Sequence, residues 1–315
     1  MLWKLKSNLS AVCALLVCFA AAPIAEAQMQ HIAERLGYAP NAKLLIIHAD
    51  DLGVAHSVDM AAFKALNAKA VSSASVMVPC PWLTEVAEYF RAHPDVDLGL
   101  HLTVTSEWKT YRWGPVAPAD QVSSLLDPHG FFYADTMDVA RHAKPEEARR
   151  EIEAQIARAE SLGIHPTHLD IHMGAMAATR PLYAELIQVA HQHHVPFMAV
   201  HVTDARQNWM EMFNSRDVVL DSMVMFQPNV PPAQWTSSYV KALGQLKPGV
   251  NEIIVHLGYD NAELQAVTVD HPDYGAAWRQ RDFKAVTSPE FKQALTRNQI
   301  HLIGWKDLKK LQEAN

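Results

Sequence analysis

Cysteine, long basic runs and long apolar stretches are all scarce in this chain of 315 residues. Of its three cysteines, Cys13 and Cys18 lie near the amino terminus and Cys80 stands alone. Internal disulfide bonds are therefore not expected to hold the fold together. No basic run exceeds a few residues, which argues against nucleic acid as a partner. Beyond the amino terminus, no apolar stretch is long enough for a stable membrane span.

Residues 1–27 have the features of a secretory signal. A positively charged start and a short apolar core lead to Ala25-Glu26-Ala27, which matches an A-x-A cleavage site. We therefore expect a periplasmic or secreted protein whose mature chain, residues 28–315, forms a single domain. A composition of 49% hydrophobic and 19% charged residues suits one barrel-sized core.

Short apolar runs alternate with helical patterns along the mature chain, which predicts a parallel sheet with crossover helices. Seven strands are predicted, at 43–49, 71–78, 96–102, 167–171, 196–201, 252–257 and 301–305. This number favours a (β/α) barrel, TIM-like and with room for distortion, over an open sheet. An irregular insertion at about 103–143 breaks the alternation. Its aromatic residues either expose rings that stack on sugars or pack against one another.

Two adjacent aspartates, Asp50 and Asp51, follow the first predicted strand and precede Gly53. Catalytic groups and ligands collect at the carboxyl ends of strands in α/β sheets and barrels. Because neighbouring carboxylates repel each other, a partly buried pair needs a cation or a shared proton. A solvated turn or a helix cap is the alternative explanation, since aspartate is common in both.

Histidines stand at the ends of three further predicted strands. His101 and His256 each follow an apolar run, and His168, Asp170 and His172 alternate along and just beyond another strand. Period-two alternation places those last three side chains on one face. One aspartate with two of these histidines would form an open metal site with positions left for water and substrate.

Four motifs occur in a fixed order: Ala-Asp-Asp-Leu-Gly, Gly-Leu-His-Leu-Thr, Pro-Thr-His-Leu-Asp-x-His and a late Val-His-x-Gly. In this order the chain resembles the YdjC-like carbohydrate deacetylases of the ChbG/HpnK type, from about Lys43 to Leu311. These enzymes are related in architecture to NodB-type polysaccharide deacetylases. The resemblance implies hydrolysis of N-acetyl groups on a small carbohydrate or oligosaccharide.

The resemblance also implies roles for individual residues. A divalent ion, with zinc and magnesium as first candidates, would be bound by Asp51, His101 and His172. Asp50 would act as the general base and His256 as the acid. His168 and Asp170 would be supporting groups.

Two departures from the family pattern concern the substrate side of the site. The chain continues after His172 as Met173-Gly174-Ala175-Met176, and the late motif has Leu257 in place of proline. Two other functions stay open: another metal-dependent hydrolase of the phosphatase type, and an exported carbohydrate-binding protein without catalysis. A homodimer also stays open.

Overall fold

The computed structural model of this protein describes residues 32–200 and 209–313. The predicted signal at 1–27 lies outside the described residues. The described chain has an α/β fold in which parallel strands form a half-barrel with helices packed around it. In the described part of the chain, no helix has the length and apolar character to cross a membrane.

The seven strands are β1 (Lys43–Leu52), β2 (Ser73–Val76), β3 (Leu98–Leu102), β4 (Leu169–Ile171), β5 (Ser222–Met225), β6 (Gly249–Val255) and β7 (Ile300–Leu302). The α-helices are α1 (His56–Asn67), α2 (Leu83–Ala92), α3 (Thr136–His142), α4 (Pro145–Ser161), α5 (Arg180–Gln192), α6 (Trp235–Gln245), α7 (Ala262–Val267), α8 (Ala276–Val286), α9 (Pro289–Arg297) and α10 (Trp305–Glu313).

The strands follow the order β4-β3-β2-β1-β6-β5, and β7 pairs with the beginning of β1. The barrel prediction is confirmed in this incomplete form. Between β4 and β5, among the residues outside the gap at 201–208, the wall contains only isolated bridges, Leu169 to Phe197 and Val200 to Leu220. The predicted strand at 196–201 is therefore two single bridges, and its last residue lies outside the described range. Strand β5 was not predicted, because its residues are partly exposed and show no alternation in burial.

The two faces of β1 have different surroundings. Leu45 and Ile47 belong to the core that lies between the sheet and the outer helices. Leu44 and Ile46 point the other way, into a second core that includes Trp305 at the start of α10. Because alternation continues along the strand, His48 and Asp50 follow Leu44 and Ile46 on the inner face. The interior is thus apolar at the amino end of β1 and polar at its carboxyl end.

The insertion after β3 packs on its own aromatic residues. Trp108, Trp113 and Phe132 are at most 3% exposed, so these rings are not available for stacking on a sugar. Of the two explanations for the insertion, internal packing therefore describes these three residues.

One buried polar face of α4 holds the insertion in place. Glu151 accepts hydrogen bonds from the backbone N–H groups of Val116 and Ala117. Gln155 bonds both the N–H and the carbonyl oxygen of Thr103. These bonds satisfy backbone groups of an irregular segment that no strand pairs with, which fixes its path beside the barrel opening.

Candidate metal centre

A bulge at the end of β1 brings both aspartates into the site. The pairing of β1 with β2 shifts register between Ala49 and Leu52, and Asp51 has a φ of 68°. Strict alternation would turn Asp51 away from Asp50, toward the outer helices. The left-handed backbone instead directs the Asp51 carboxylate toward His101 and His172. Such a conformation is costly for a residue other than glycine and is concentrated at functional sites.

The side chains of Asp51, His101 and His172 form one buried cluster of donor atoms. The Asp51 Oδ1 atom lies 3.3 Å from His101 Nε2 and 3.3 Å from His172 Nδ1. In a tetrahedral site with ligand distances of about 2.0 Å, two ligand atoms lie about 3.3 Å apart. Among the described residues, Asp51 Oδ1 has no hydrogen-bond partner. The spacing and this unpaired atom both fit a divalent cation.

Asp170 connects the cluster to the barrel interior. Its Oδ1 atom lies 2.7 Å from His101 Nδ1, and its Oδ2 atom lies 2.7 Å from His48 Nε2. A hydrogen bond at His101 Nδ1 places the proton there and leaves Nε2 with a free lone pair toward Asp51. Asp170 therefore orients a member of the cluster without belonging to it.

A second group of potential ligands, His48, His168 and Asp170, lies deeper in the barrel. The 2.7 Å between His48 Nε2 and Asp170 Oδ2 is a hydrogen-bond distance, too short for two ligands of one ion. His168 stacks on Trp305 with 5.0 Å between ring centroids, and its Nε2 atom lies 3.7 Å from Asp170. This group is therefore a set of internal hydrogen-bonded side chains, in which His168 is farther from the Asp51 cluster than Asp170.

Asp50 lies between three imidazoles. Its Oδ1 atom is 3.0 Å from His48 Nε2, and its Oδ2 atom is 3.8 Å from both His101 Nε2 and His256 Nε2. His256 follows β6, where its backbone N–H donates to Asp282 and its ring lies 5.0 Å from that of Trp278. The structure thus brings together the five residues Asp50, Asp51, His101, His172 and His256.

The charges around the cluster shift the protonation of its members. Burial by itself would raise the pKa of Asp51, but Arg279 and the imidazoles of His101 and His172 hold it well below its usual range. Burial by itself would lower the pKa of His172, but Glu107 and Asp51 raise it to about 9. For His256 burial prevails, and its pKa is lowered. The two carboxylates beside His172 therefore favour its cationic form at neutral pH.

Three residues that contact the cluster or its neighbour Asp50 had no role in the sequence analysis. His48 lies two positions before Asp50 on the same strand face, so alternation could have identified it. Arg279 donates from Nη2 to Asp51 Oδ2 at 2.7 Å, and Glu107 contacts His172 Nε2 at 3.0 Å. Arg279 lies on α8, a helix that was not predicted, and Glu107 lies in the irregular insertion. No local pattern marks either residue.

Gly258, in the late motif, makes room for Arg279. A Cβ atom at this glycine would lie 3.0 Å from Arg279 Cβ and 2.6 Å from Leu264 Cδ2. The glycine that follows His256 therefore allows the arginine stem to pass behind the site and reach Asp51.

The chain is similar over most of its length to known proteins. A family model described as YdjC-like protein matches residues 44–297. A carbohydrate deacetylase of Thermus thermophilus is 31% identical over 280 residues, which cover 87% of this chain and 96% of that protein. A carbohydrate deacetylase of Enterococcus faecalis is 24% identical over 84% of this chain and 98% of that protein.

A solved structure supports the fold. A protein of Enterococcus faecalis, named as a candidate cellobiose-phosphate cleavage protein, superposes with a TM-score of 0.72. The superposition covers 85% of this chain and 99% of that one at 22% sequence identity. The similarity in structure concerns the fold, and the family follows from the sequence matches. On these matches, the chain belongs to the YdjC-like protein family.

Proposed function

We propose that this protein is a metal-dependent hydrolase that removes acetyl groups from N-acetylated sugars. The observation that carries the proposal is a set of three candidate ligand atoms: Asp51 Oδ1 lies 3.3 Å from one nitrogen of His101 and 3.3 Å from one nitrogen of His172, with Asp50 beside them. The relatives named carbohydrate deacetylase, which match most of this chain, support the choice of substrate class.

The ligands of the ion would be Asp51, His101 and His172. One carboxylate and two imidazoles suit zinc and similar transition metals, whereas magnesium prefers oxygen ligands alone. When bound, such an ion lowers the pKa of a water molecule and stabilises negative charge on a carbonyl oxygen. Asp51 can offer only Oδ1, since Arg279 occupies Oδ2.

Asp50 would take the proton of the attacking water. Its carboxylate lies within 3.8 Å of His101 Nε2 on one side of the cluster, and His48 at 3.0 Å fixes its orientation. His256 Nε2 lies 3.8 Å from Asp50 Oδ2. Because its pKa is lowered, His256 would first take up the proton that Asp50 removes from the water and would then donate it to the departing amine. The departing nitrogen needs this proton because an amide nitrogen is a poor leaving group as an anion.

We also propose that the enzyme acts outside the cytoplasm, on the basis of the signal-like residues 1–27.

The phosphatase-type alternative finds less support in the site. Two-metal phosphatases hold their ions about 3.5–4 Å apart, which requires two sets of ligands. Within the described residues, the other candidate ligand groups share Asp170 or His101 and already make hydrogen bonds of 2.7 Å.

Acetate release from a panel of N-acetylated oligosaccharides tests the proposal. The mature protein is stripped of metal, and zinc, cobalt, nickel or magnesium is then restored. We expect metal-dependent acetate release that Asp50→Asn abolishes, while the variant keeps its full metal content. Asp120→Asn, the same change at an exposed position of a short 3-10 helix, is the matched control and should retain activity.

Two outcomes would contradict the proposal. If folded, metal-loaded protein releases no acetate from any sugar but binds one of them, the non-catalytic binding protein becomes the better explanation. If Asp50→Asn hydrolyses as fast as the unchanged protein, Asp50 is not the base.

A further inference from the structure

The insertion contributes a carboxylate, that of Glu107, which contacts the proposed metal ligand His172 at the ring nitrogen that does not face the cluster. Glu107 Oε2 lies 3.0 Å from His172 Nε2, while the other ring nitrogen, Nδ1, faces Asp51 Oδ1 at 3.3 Å. The two nitrogens point in different directions from the ring. Glu107 and the cation cluster therefore lie on different sides of the same imidazole.

The two histidines of the cluster face it through different nitrogens. His101 presents Nε2 and has Nδ1 bonded to Asp170. His172 presents Nδ1 and has Nε2 bonded to Glu107. A neutral imidazole carries one N–H, and the nitrogen without it is the one that can bind a metal. Each carboxylate thus selects the metal-binding nitrogen of one histidine.

Glu107 itself is held on a rigid part of the insertion. Its carbonyl oxygen accepts a hydrogen bond from His271 Nε2 at 2.9 Å, and the neighbouring residues Ser106 and Trp108 are buried. The Trp108 ring also lies under the Arg279 guanidinium, 5.7 Å from its centroid. The segment that places Glu107 on His172 therefore also packs against the arginine that pairs with Asp51.

We propose that Glu107 is a positioning residue that holds His172 as the Nε2–H tautomer and so makes Nδ1 its metal-binding atom. This inference rests on the metal centre of the proposed function, but not on the identity of the substrate. Glu107 acts through His172 and touches neither the ion position nor the reacting groups. The insertion thereby contributes to the metal centre through a carboxylate, while its buried tryptophans serve packing.

Imidazole nitrogen NMR of the Zn²⁺-loaded protein tests the geometry. In the unchanged protein we expect His172 to carry its proton on Nε2 and to bind through Nδ1, with the opposite arrangement for His101. In Glu107→Ala we expect His172 to lose this single state and to populate Nε2 binding. Metal ligation through Nε2 of His172 in the unchanged protein would overturn the inference.

The rate of Zn²⁺ release to excess chelator gives a second readout. Bound His172 is neutral in every variant, so competition from protons does not enter the comparison. Loss of an outer partner of a metal ligand lowers metal affinity about 10–100-fold. Because this loss is expressed in the dissociation rate, we expect release about 10–100-fold faster from Glu107→Ala. Glu107→Gln keeps an acceptor oxygen but loses the charge, and should fall between.

Asp217→Asn is the control, because it breaks a carboxylate–imidazole contact of the same kind, 2.8 Å from His191. It should release Zn²⁺ at the unchanged rate, and thermal unfolding confirms that all variants are folded. Equal release rates for Glu107→Ala and Asp217→Asn would refute the inference while leaving the deacetylase proposal intact. Zn²⁺ binding with the expected tautomers but without acetate release would support the inference about Glu107 and refute the deacetylase proposal. Failure to bind any metal would refute both proposals.

Discussion

The affinity of the site for Zn²⁺ should increase steeply with pH. Metal binding requires a neutral imidazole, whereas His172 lies between the carboxylates of Glu107 and Asp51, which favour its cationic form. Its pKa of about 9 means that a proton must leave before Nδ1 can bind a metal. Raising the pH removes this competition, so the affinity rises until the pH reaches about 9.

The size of the effect follows from that pKa. Below it, one competing proton reduces the apparent affinity about tenfold for each pH unit, or about 1.4 kcal/mol. His172 alone should therefore make Zn²⁺ binding about 100-fold tighter at pH 8 than at pH 6. The charges of Asp170 and Asp50 raise the pKa of His101 as well, against the effect of burial, which steepens the dependence. Asp51 adds nothing, since its lowered pKa leaves it ionised throughout.

Competition with a fluorescent Zn²⁺ chelator, corrected for the chelator's own protonation, measures the affinity at pH 6, 7 and 8. Calorimetry at pH 7 in buffers of different ionisation enthalpy counts the protons released, and we expect at least one per bound ion. An affinity that varies less than about threefold between pH 6 and pH 8, with no proton release, would show that His172 is already neutral.

Two further predictions concern the barrel interior. Burial raises the pKa of Glu252 to about 8, so the folded state keeps this group protonated while the unfolded chain ionises above its ordinary value of 4.5. The unchanged protein therefore loses stability as the pH rises toward 8. In urea unfolding, the free energy of unfolding of Glu252→Gln relative to that of the unchanged protein should increase by on the order of 4 kcal/mol between pH 5 and pH 8. A difference that stays constant with pH would contradict this prediction. A Cβ atom at Gly99 would lie 2.4 Å from the ring of His168, which Trp305 holds from its other face, so Gly99→Ala should lower the free energy of unfolding by about 1–3 kcal/mol. Gly244→Ala, in helix α6 with its nearest neighbour at 3.9 Å, is the control and should be neutral or stabilising; equal effects of the two changes would show that the interior yields at His168.

Most helices and strands could be predicted because their signals are local. The sequence pattern predicts a helix over 145–162, and α4 spans Pro145–Ser161. It predicts another over 288–297, and α9 spans Pro289–Arg297. Helix α8 was not predicted because buried charged residues, Arg279 and Asp282, interrupt its apolar face. Their burial depends on partners in other segments, which sequence periodicity does not report.

The residues of the candidate site divide in the same way. Asp50, His101 and His256 were located by one rule, that polar groups following buried strands gather at the carboxyl edge of a parallel sheet. This rule needs only the position of each strand end. The sequence by itself therefore determined the family, the α/β barrel class and these residues at its open edge.

Tertiary structure decided which atoms of those residues face one another. The bulge at Asp51 turns its carboxylate inward, and Arg279, 228 residues away in sequence, occupies one of its oxygens. Glu107 reaches His172 because α4 fixes the path of the insertion. Distances of about 3 Å between side chains depend on how distant segments pack, and packing leaves no periodic signal in the chain. The nitrogen that each histidine turns toward Asp51 is decided at that level.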